Sequence, residues 1–264
     1  MGKIGIIGAG NMGGSIARGL AFCGIIPQSD ITVCDPTEAV LNSIKSQYPQ
    51  VNVSTNNADA VAQADIVVVA VKPWLLDGVM AALNGKFDFS RQILVSVVAG
   101  ATLQHLASFA GEGCKSPAVF RLIPNIAISV RQSMTFIAHQ GATSEQVGMV
   151  CGLFNALGST MIIEERIMGA CTAVSSCGIA YVMRYIRAAC EGGVELGLYP
   201  GQARDIMLQT MKGAVSLLEA TGNNPEVEID KVTTPGGITI KGLNAMEANG
   251  FTNAVIEGLK ASCK

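Results

Sequence analysis

Lys3-Ile-Gly-Ile-Ile-Gly-Ala-Gly-Asn-Met-Gly-Gly14 decides the fold of this chain. A short apolar run leads into Gly8-x-Gly10-x-x-Gly13. A helical pattern follows, with Met12, Ile16 and Leu20 spaced to lie on one face. The glycine spacing alone is a weak signal, and its context strengthens it. A second apolar run, Ile31-Thr-Val-Cys34, ends at Asp35, 22 residues after Gly13. A dinucleotide-binding βαβ unit places its acidic residue at an offset of about 20. Gly8 allows the tight turn, Gly10 lets a pyrophosphate approach the backbone, and Gly13 lets helix and strand pack closely. With Asn11 and Met12 between them, these glycines form the expected cofactor-binding turn. Asp35 would pair with a ribose 2′-hydroxyl and repel a 2′-phosphate, whereas Thr37 could greet that phosphate. The choice between NADPH and NADH stays open at this stage.

Outward from this unit, strand and helix patterns alternate to about residue 163. Helices are expected over 37–47 and 58–63, with a short strand at 51–53 between them. Ile66-Val-Val-Val-Ala-Val71 is apolar on both faces, as a central parallel strand should be. Ile93-Leu-Val-Ser-Val-Val98 and Ala118-Val-Phe120 read the same way, and later strands are expected at 134–139 and 160–163. Thr143 and Gln146 make a capping box for a helix reaching Leu157. From about 164 only helical patterns remain, over 172–196, 201–220 and in two shorter pieces after Pro235. The expected fold is therefore α/β. Residues 1–163 form a doubly wound, Rossmann-like dinucleotide domain, and 164–264 form an all-α dimerisation and substrate domain.

Composition narrows the function. The net charge of −2 and pI near 5.7, with no basic block, speak against a nucleic-acid partner. The first strand begins at Lys3, which leaves no room for a signal peptide. The apolar region 170–198 is interrupted by Arg184, Arg187, Glu191 and Glu195, which speaks against a membrane span. The eight cysteines include no Cys-x-x-Cys, and Cys34, Cys171 and Cys177 sit in apolar runs. They read as reduced core thiols of a cytoplasmic protein rather than metal ligands. His105 and His139, the two histidines, have no partner at ligand spacing.

Candidate chemistry gathers at turns that follow strands. Ala70-Val71-Lys72-Pro73 leaves a buried strand, and Lys72 either faces the nicotinamide end or a substrate charge, or caps the strand exit with its head in water. Pro124-Asn125 is either a turn or a way to place an amide near the cofactor. Near the end of the chain, Thr233-Thr234-Pro235-Gly236-Gly237-Ile238-Thr239 precedes a helical pattern of Ile240, Leu243 and Met246. A tight turn feeding a helix N-terminus offers free N–H groups and a positive dipole end to a carboxylate or phosphate. No nucleophile–base pair and no obvious general acid stand out. A carbonyl reduction usually needs a proton donor, whereas an imine arriving as iminium needs orientation and a carboxylate anchor.

Together, Gly8-Ala-Gly-Asn-Met-Gly13, Ala70-Val-Lys-Pro73, Arg121-Leu-Ile-Pro-Asn125 and Thr234-Pro-Gly-Gly-Ile-Thr239 resemble pyrroline-5-carboxylate reductase over essentially the whole chain. The C-terminal segment is the specific part of the match. The resemblance implies reduction of 1-pyrroline-5-carboxylate to L-proline, the last step of proline biosynthesis, with NADPH or NADH. It implies a homodimer with interlocked helices, often assembled into a decamer. By the same resemblance Asn57 and the turn with Ala70, Val71, Lys72 and Pro73 would line the cofactor. Thr234, Gly236 and Gly237 would hold the substrate carboxylate, and Thr239 would approach the imine nitrogen. The chain departs from the family pattern at Ile179, where proline is usual, at Ile123, where methionine is usual, and at Thr234, where serine is common. A β-hydroxyacid dehydrogenase would share the first domain but use a catalytic lysine from a long helix of the second, and no lysine lies between Ile162 and Met211. A non-enzymatic dinucleotide sensor would keep the first fingerprint without needing the Thr-Pro-Gly-Gly-x-Thr turn.

Apolar residues make up 49% of the chain, charged residues only 14%, and mean hydropathy is +0.40. Such a composition calls for a large buried subunit interface, of about 2,000 Å² or more, formed by residues 164–264. Light scattering at micromolar concentration should give a dimer or a larger species, and a monomer of 27.4 kDa would contradict this reading.

Overall fold

Strands rich in Ile and Val alternate with short amphipathic helices, so the first part of the chain folds as a sheet covered on both faces. The structure, a computed structural model, describes residues 2–111, 114 and 116–263. It divides into two units, Met1–Cys171 and Thr172–Lys264.

The first unit runs β1 (Ile4–Ile7), α1 (Asn11–Cys23), β2 (Ile31–Cys34), α2 (Glu38–Gln47), β3 (Asn52–Ser54), α3 (Asn57–Ala62) and β4 (Ile66–Val69). It continues with α4 (Leu76–Ala82), β5 (Ile93–Ser96), α5 (Leu103–Ser108), β6 (Val119–Ile123), β7 (Ser133–Gln140), α6 (Ser144–Asn155), β8 (Gly158–Ile162) and α7 (Met168–Cys171). One sheet takes the order β3-β2-β1-β4-β5-β6-β7-β8. The strands are parallel except where β7 runs against β6, with Arg121 opposite Ala138. Residues 124–132, which include the 3₁₀ segment Ile126–Val130, join β6 to β7, whereas a parallel connection needs a crossover of a dozen or more residues.

Alternation along each strand splits the core between two faces. Ile4, Ile6, Val33, Val68 and Phe120 pack with α1, α2 and α6, where Ile16, Leu20, Ile44 and Phe154 are fully buried. Ile7, Val67, Val69, Leu94 and Val119 pack on the other face with Leu76, Met80 and Leu106. The Thr143–Gln146 capping box forms as expected and starts α6. The short helices α4 and α5 carry too few turns to show a period in the sequence. Of the eight free cysteines only Cys34 is buried, so the expectation of mostly core thiols is corrected. Cys114 lies in the irregular segment before β6, and the others lie at helix ends or on helix faces that a single chain leaves partly open.

The second unit contains α8 (Gly178–Glu195), α9 (Pro200–Thr221), α10 (Pro225–Val232), α11 (Ile238–Ala248) and α12 (Phe251–Ser262). The expected helix over 172–196 begins instead with a π-helical turn, Thr172–Cys177. Helix α10 had no clear apolar period, and it is fixed locally by Pro225 at its first position and by Asn224, whose side chain caps Glu226 N. Within α8, a Cβ on Gly193 would sit 3.2 Å from the Ala203 side chain, so that glycine lets α9 come close. Val174, Tyr181, Val182, Met183, Ile206 and Val255 remain exposed in a single chain.

Two glycines of the first turn should respond in opposite ways. A Cβ on Gly13 would lie 1.9 Å from the Gly8 carbonyl oxygen, whereas one on Gly10 meets nothing within 4 Å. Gly13→Ala should lower the unfolding free energy by about 3 kcal/mol, the upper range of overpacking penalties, and Gly10→Ala should leave it almost unchanged. Urea unfolding of both variants measures the difference.

Candidate active site

A first candidate site lies where β1, β2 and β4 end side by side. Gly8 turns the chain with φ +95°, a conformation that suits glycine. Its N–H donates to the Cys34 carbonyl at 2.8 Å, and Ala70 N donates to the Ile7 carbonyl at 2.8 Å. The turn is thus laced to β2 on one side and to the exit of β4 on the other. Gly10 is the N-cap of α1, which has no side-chain cap and no acidic residue in its first turn. The N–H groups at Asn11 and Met12 therefore start a helix whose positive end is uncovered, beside open space at Gly10. An anionic pyrophosphate fits that cradle. Asn11 is exposed, and Met12 packs against the core beneath.

Asp35 follows β2. Its Oδ2 accepts the Ala9 N–H at 2.8 Å and its Oδ1 accepts the Thr37 N–H at 2.9 Å. The carboxylate thus sits beside the glycine turn and partly holds it in place. Cys34, one residue earlier, is fully buried, and burial pushes its thiol up to about 11. It stays neutral and donates to the Asn56 carbonyl at 3.2 Å. Asn56 caps α3, and Asn57 is the half-buried first residue of that helix. Ala70 and Val71 are half-buried, while Lys72 and Pro73 are exposed. The Lys72 carbonyl accepts the Leu75 N–H at 2.9 Å, so its backbone starts a single 3₁₀ turn and its side chain points away from the core.

The third turn shows a pair that no local pattern announces. Arg121 of β6 donates to Glu165 Oε1 at 2.8 Å, and the same oxygen accepts Leu103 N at 2.8 Å, at the start of α5. Arg121 Nε is buried with no hydrogen-bond partner. The two residues lie 44 positions apart, so only the folded chain brings them together. Asn125 is buried, and its Oδ1 accepts Ala127 N at 3.0 Å while its own N–H donates to Ser133 Oγ at 3.0 Å. Those two bonds make it the cap of the turn between β6 and β7. His105 pairs with Asp77 at 2.9 Å on the surface.

A second candidate site lies within the helical unit. Gly237 N donates to the Thr234 carbonyl at 2.9 Å, and Gly236 has φ +71°. With Pro235 before it, this is the pattern of a type II turn. A Cβ on Gly237 would come within 2.6 Å of Thr234 Oγ1, so the hydroxyl folds over that glycine. Gly237 is the N-cap of α11, again with no side-chain cap. The first N–H groups of α11, at Ile238 and Thr239, start an uncovered helix end, and Thr239 is exposed there. Glu228 lies on α10, the helix that precedes this turn. Asn223 and Lys231 donate to its carboxylate at 2.7 and 2.8 Å and hold it below the usual carboxylate range. Among the described residues no cluster of His, Cys, Asp and Glu could hold a metal ion.

Comparison with known proteins assigns these features to a family. The model described as pyrroline-5-carboxylate reductase dimerisation matches residues 165–264, and the model of NADP oxidoreductase coenzyme F420-dependent matches residues 3–100. A pyrroline-5-carboxylate reductase of Synechocystis is 35% identical over 98% of this chain and 95% of its own. Pyrroline-5-carboxylate reductase 1 of Dictyostelium discoideum is 36% identical over 98% of this chain, which spans about half the length of that relative (48%). The crystal structure of a Plasmodium falciparum pyrroline carboxylate reductase with NADP bound superposes with a TM-score of 0.88 at 27% identity, covering 99% of this chain and 95% of that one.

The Arg121–Glu165 pair should matter for stability. Arg121→Met leaves the Glu165 carboxylate, which also holds Leu103 N, without its cation. The pair is partly open to water, with side-chain exposures of 15% and 30%. The expected loss is about 2–3 kcal/mol, below the 3–5 typical of a fully buried pair. Urea midpoints of Arg121→Met and wild type measure it.

Proposed function

The chain belongs to the pyrroline-5-carboxylate reductase family, and we infer from that premise that it reduces 1-pyrroline-5-carboxylate to L-proline with NADPH or NADH. The observation that carries the chemical reading is the turn Thr234–Gly237 feeding the uncovered start of α11. There, the N–H groups of Ile238 and Thr239 and the Thr239 hydroxyl share the first turn of the helix.

The roles of individual residues are those that the family resemblance implies. The turn of Gly8, Gly10 and Gly13, with Asn11 and Met12, holds the pyrophosphate of the dinucleotide, and Asp35 borders its adenosine ribose. Asn57 and the turn of Ala70, Val71, Lys72 and Pro73 line the rest of the cofactor. The bound dinucleotide supplies the hydride. The turn at Gly236 and Gly237 presents the first N–H groups of α11 to the substrate carboxylate, helped by the Thr234 hydroxyl, while the Gly237 N–H itself closes the turn on the Thr234 carbonyl. Thr239 shares a hydrogen bond with the ring nitrogen and orients the C=N bond. When the substrate arrives as iminium, the nitrogen already carries its proton. Hydride then adds to the imine carbon, and the C=N π pair becomes the lone pair of the product amine. No further proton donor is required, which accords with a site built from N–H groups and hydroxyls.

Residues 1–163 are assigned to the dinucleotide and 164–264 to the substrate and to self-association. The chain is an oligomer through its C-terminal helices, in keeping with the dimerisation model matched over 165–264. A homodimer is the proposed unit and a decamer the larger assembly. The stretch Glu165–Glu195 is long and apolar enough to cross a membrane by length and composition alone. Arg184, Arg187 and Glu191 interrupt it, and its apolar face is read as subunit interface. The proposed location is the cytoplasm, with no nucleic-acid or membrane partner.

Loss of nicotinamide absorbance on addition of 1-pyrroline-5-carboxylate tests the reaction directly. Thr239→Val removes the hydroxyl with little change of shape. It should lower kcat about 10²–10³-fold, the usual loss for one preorganised polar contact at a reacting centre. Affinity for the dinucleotide, read by fluorescence titration, should stay nearly the same. Wild-type turnover in this variant would make Thr239 structural and leave catalysis to the carboxylate anchor.

A further inference from the structure

We propose that this chain prefers NADH to NADPH, and that Asp35, fixed at the end of β2 by two backbone N–H groups, is the residue that discriminates. The inference rests on the reading that a nicotinamide dinucleotide occupies the glycine turn, and it adds which of the two cofactors is taken.

The first support is the rigidity of the carboxylate. Oδ2 accepts from Ala9 N and Oδ1 from Thr37 N, at 2.8 and 2.9 Å, so both oxygens are tied to separate segments of backbone. Ala9 lies inside the glycine turn, and Thr37 is the N-cap of α2. A side chain held at both oxygens cannot swing aside to admit a phosphate. Its negative charge therefore stays beside the glycine turn, where the adenosine ribose of a dinucleotide lies in this fold. A 2′-hydroxyl there can donate to it, whereas a 2′-phosphate brings between one and a half and two negative charges against it, about the charge of any phosphomonoester at neutral pH.

The second support is that, among the described residues, neither the segment after Asp35 nor helices α1 and α2 hold out a cation to compensate. The residues after Asp35 are Pro36, Thr37, Glu38, Ala39 and Val40. They add an acidic residue, Glu38, in the first turn of α2 and no basic one. Helices α1 and α2 carry one cation each. Arg18 donates to Gln47 Oε1 and Ser43 Oγ, both at 3.1 Å, and Lys45 donates to the Val51 carbonyl at 2.8 Å. Each is therefore already engaged by a neighbour on the protein.

One feature pulls the other way. Thr37 makes no side-chain capping bond, so the start of α2 offers its N–H groups and a hydroxyl to an anion. The charges decide between the two. A helix end amounts to about half an elementary positive charge, and here it is set against two full carboxylates, Asp35 and Glu38. The balance at the 2′ position remains negative and favours the hydroxyl. The Plasmodium falciparum structure holds NADP, so the preference proposed here is a property of this chain's own β2 end and not of the shared fold.

Isothermal titration of the intact oligomer with NADH and with NADPH, in the absence of substrate, tests the proposal. NADH should bind about tenfold or more tightly, as expected when like charges are placed together. Asp35→Asn keeps one acceptor for the turn and removes the charge, and it should bring the two affinities close together. Thr37→Arg leaves the Asp35 side chain in place and adds a cation, and it should strengthen NADPH alone. This second variant keeps the test decisive if Asp35→Asn fails to fold. Equal or tighter binding of NADPH by the wild-type protein overturns the preference. Reduction of 1-pyrroline-5-carboxylate by that same protein would show that the enzymatic reading survives without it. Binding of neither cofactor overturns both.

Discussion

Between Gly8 and Gly13 the backbone folds back until no side chain fits, and the rest of the nucleotide-binding unit depends on that approach. A Cβ at Gly13 would strike the Gly8 carbonyl at 1.9 Å, and one at Gly5 would strike the Ala60 carbonyl at 1.8 Å. Because these positions are bare, α1 and α3 lie directly against β1. The uncovered N-terminus of α1 is then delivered to the ends of β1, β2 and β4. Hydrogen bonds from Gly8 N to Cys34 O and from Ala9 N to Asp35 hold the turn to the neighbouring strand. The same carboxylate thus supports the loop that receives a dinucleotide and sets the charge at one end of it.

The two candidate sites, one in each unit, share one device. At Gly10 and again at Gly237, a glycine N-cap without a capping side chain starts a helix whose N–H groups are left for a ligand. Elsewhere in the chain Asn56, Thr102, Asn125, Thr143 and Asn224 cap their own helices with a side chain. Helices α2, α4, α8 and α12 also start without a side-chain cap, so the ends at Gly10 and Gly237 stand out by the glycine turns that lead into them, and it is there that the proposed function puts a pyrophosphate and a carboxylate. Hydride transfer to a protonated imine asks for little beyond such holding.

The helical unit is bounded differently. Its faces carry Val174, Met183, Ile206, Val215 and Val255 exposed in a single chain. A groove of about 730 Å³ beside Tyr185, Met246 and Phe251 is lined almost wholly by apolar atoms. Membership of a family with a dimerisation region at 165–264 supplies the cover for these surfaces. A high apolar content and a low charge content are the compositional cost of folding two chains around shared helices.

The sequence by itself determined the βαβ start, the central strands, the capping box before α6 and the helical second unit, because each is written in local periodicity and local turn chemistry. Gly8, Gly10, Gly13 and the Thr234–Thr239 segment were legible for the same reason: tight turns restrict which residues fit. Only the tertiary structure decided the antiparallel β6–β7 pairing, the π-helical opening of 172–177 and the short helices α4, α5 and α10. These carry too few residues to show a period. It also decided that Asn125 caps a turn, that Asp35 is tied at both oxygens, and that Arg121 meets Glu165. A hydrogen bond between residues 26 or 44 positions apart leaves no mark on the neighbours of either one. It exists because strands adjacent in the sheet are distant in the chain, and that adjacency is a property of the whole fold.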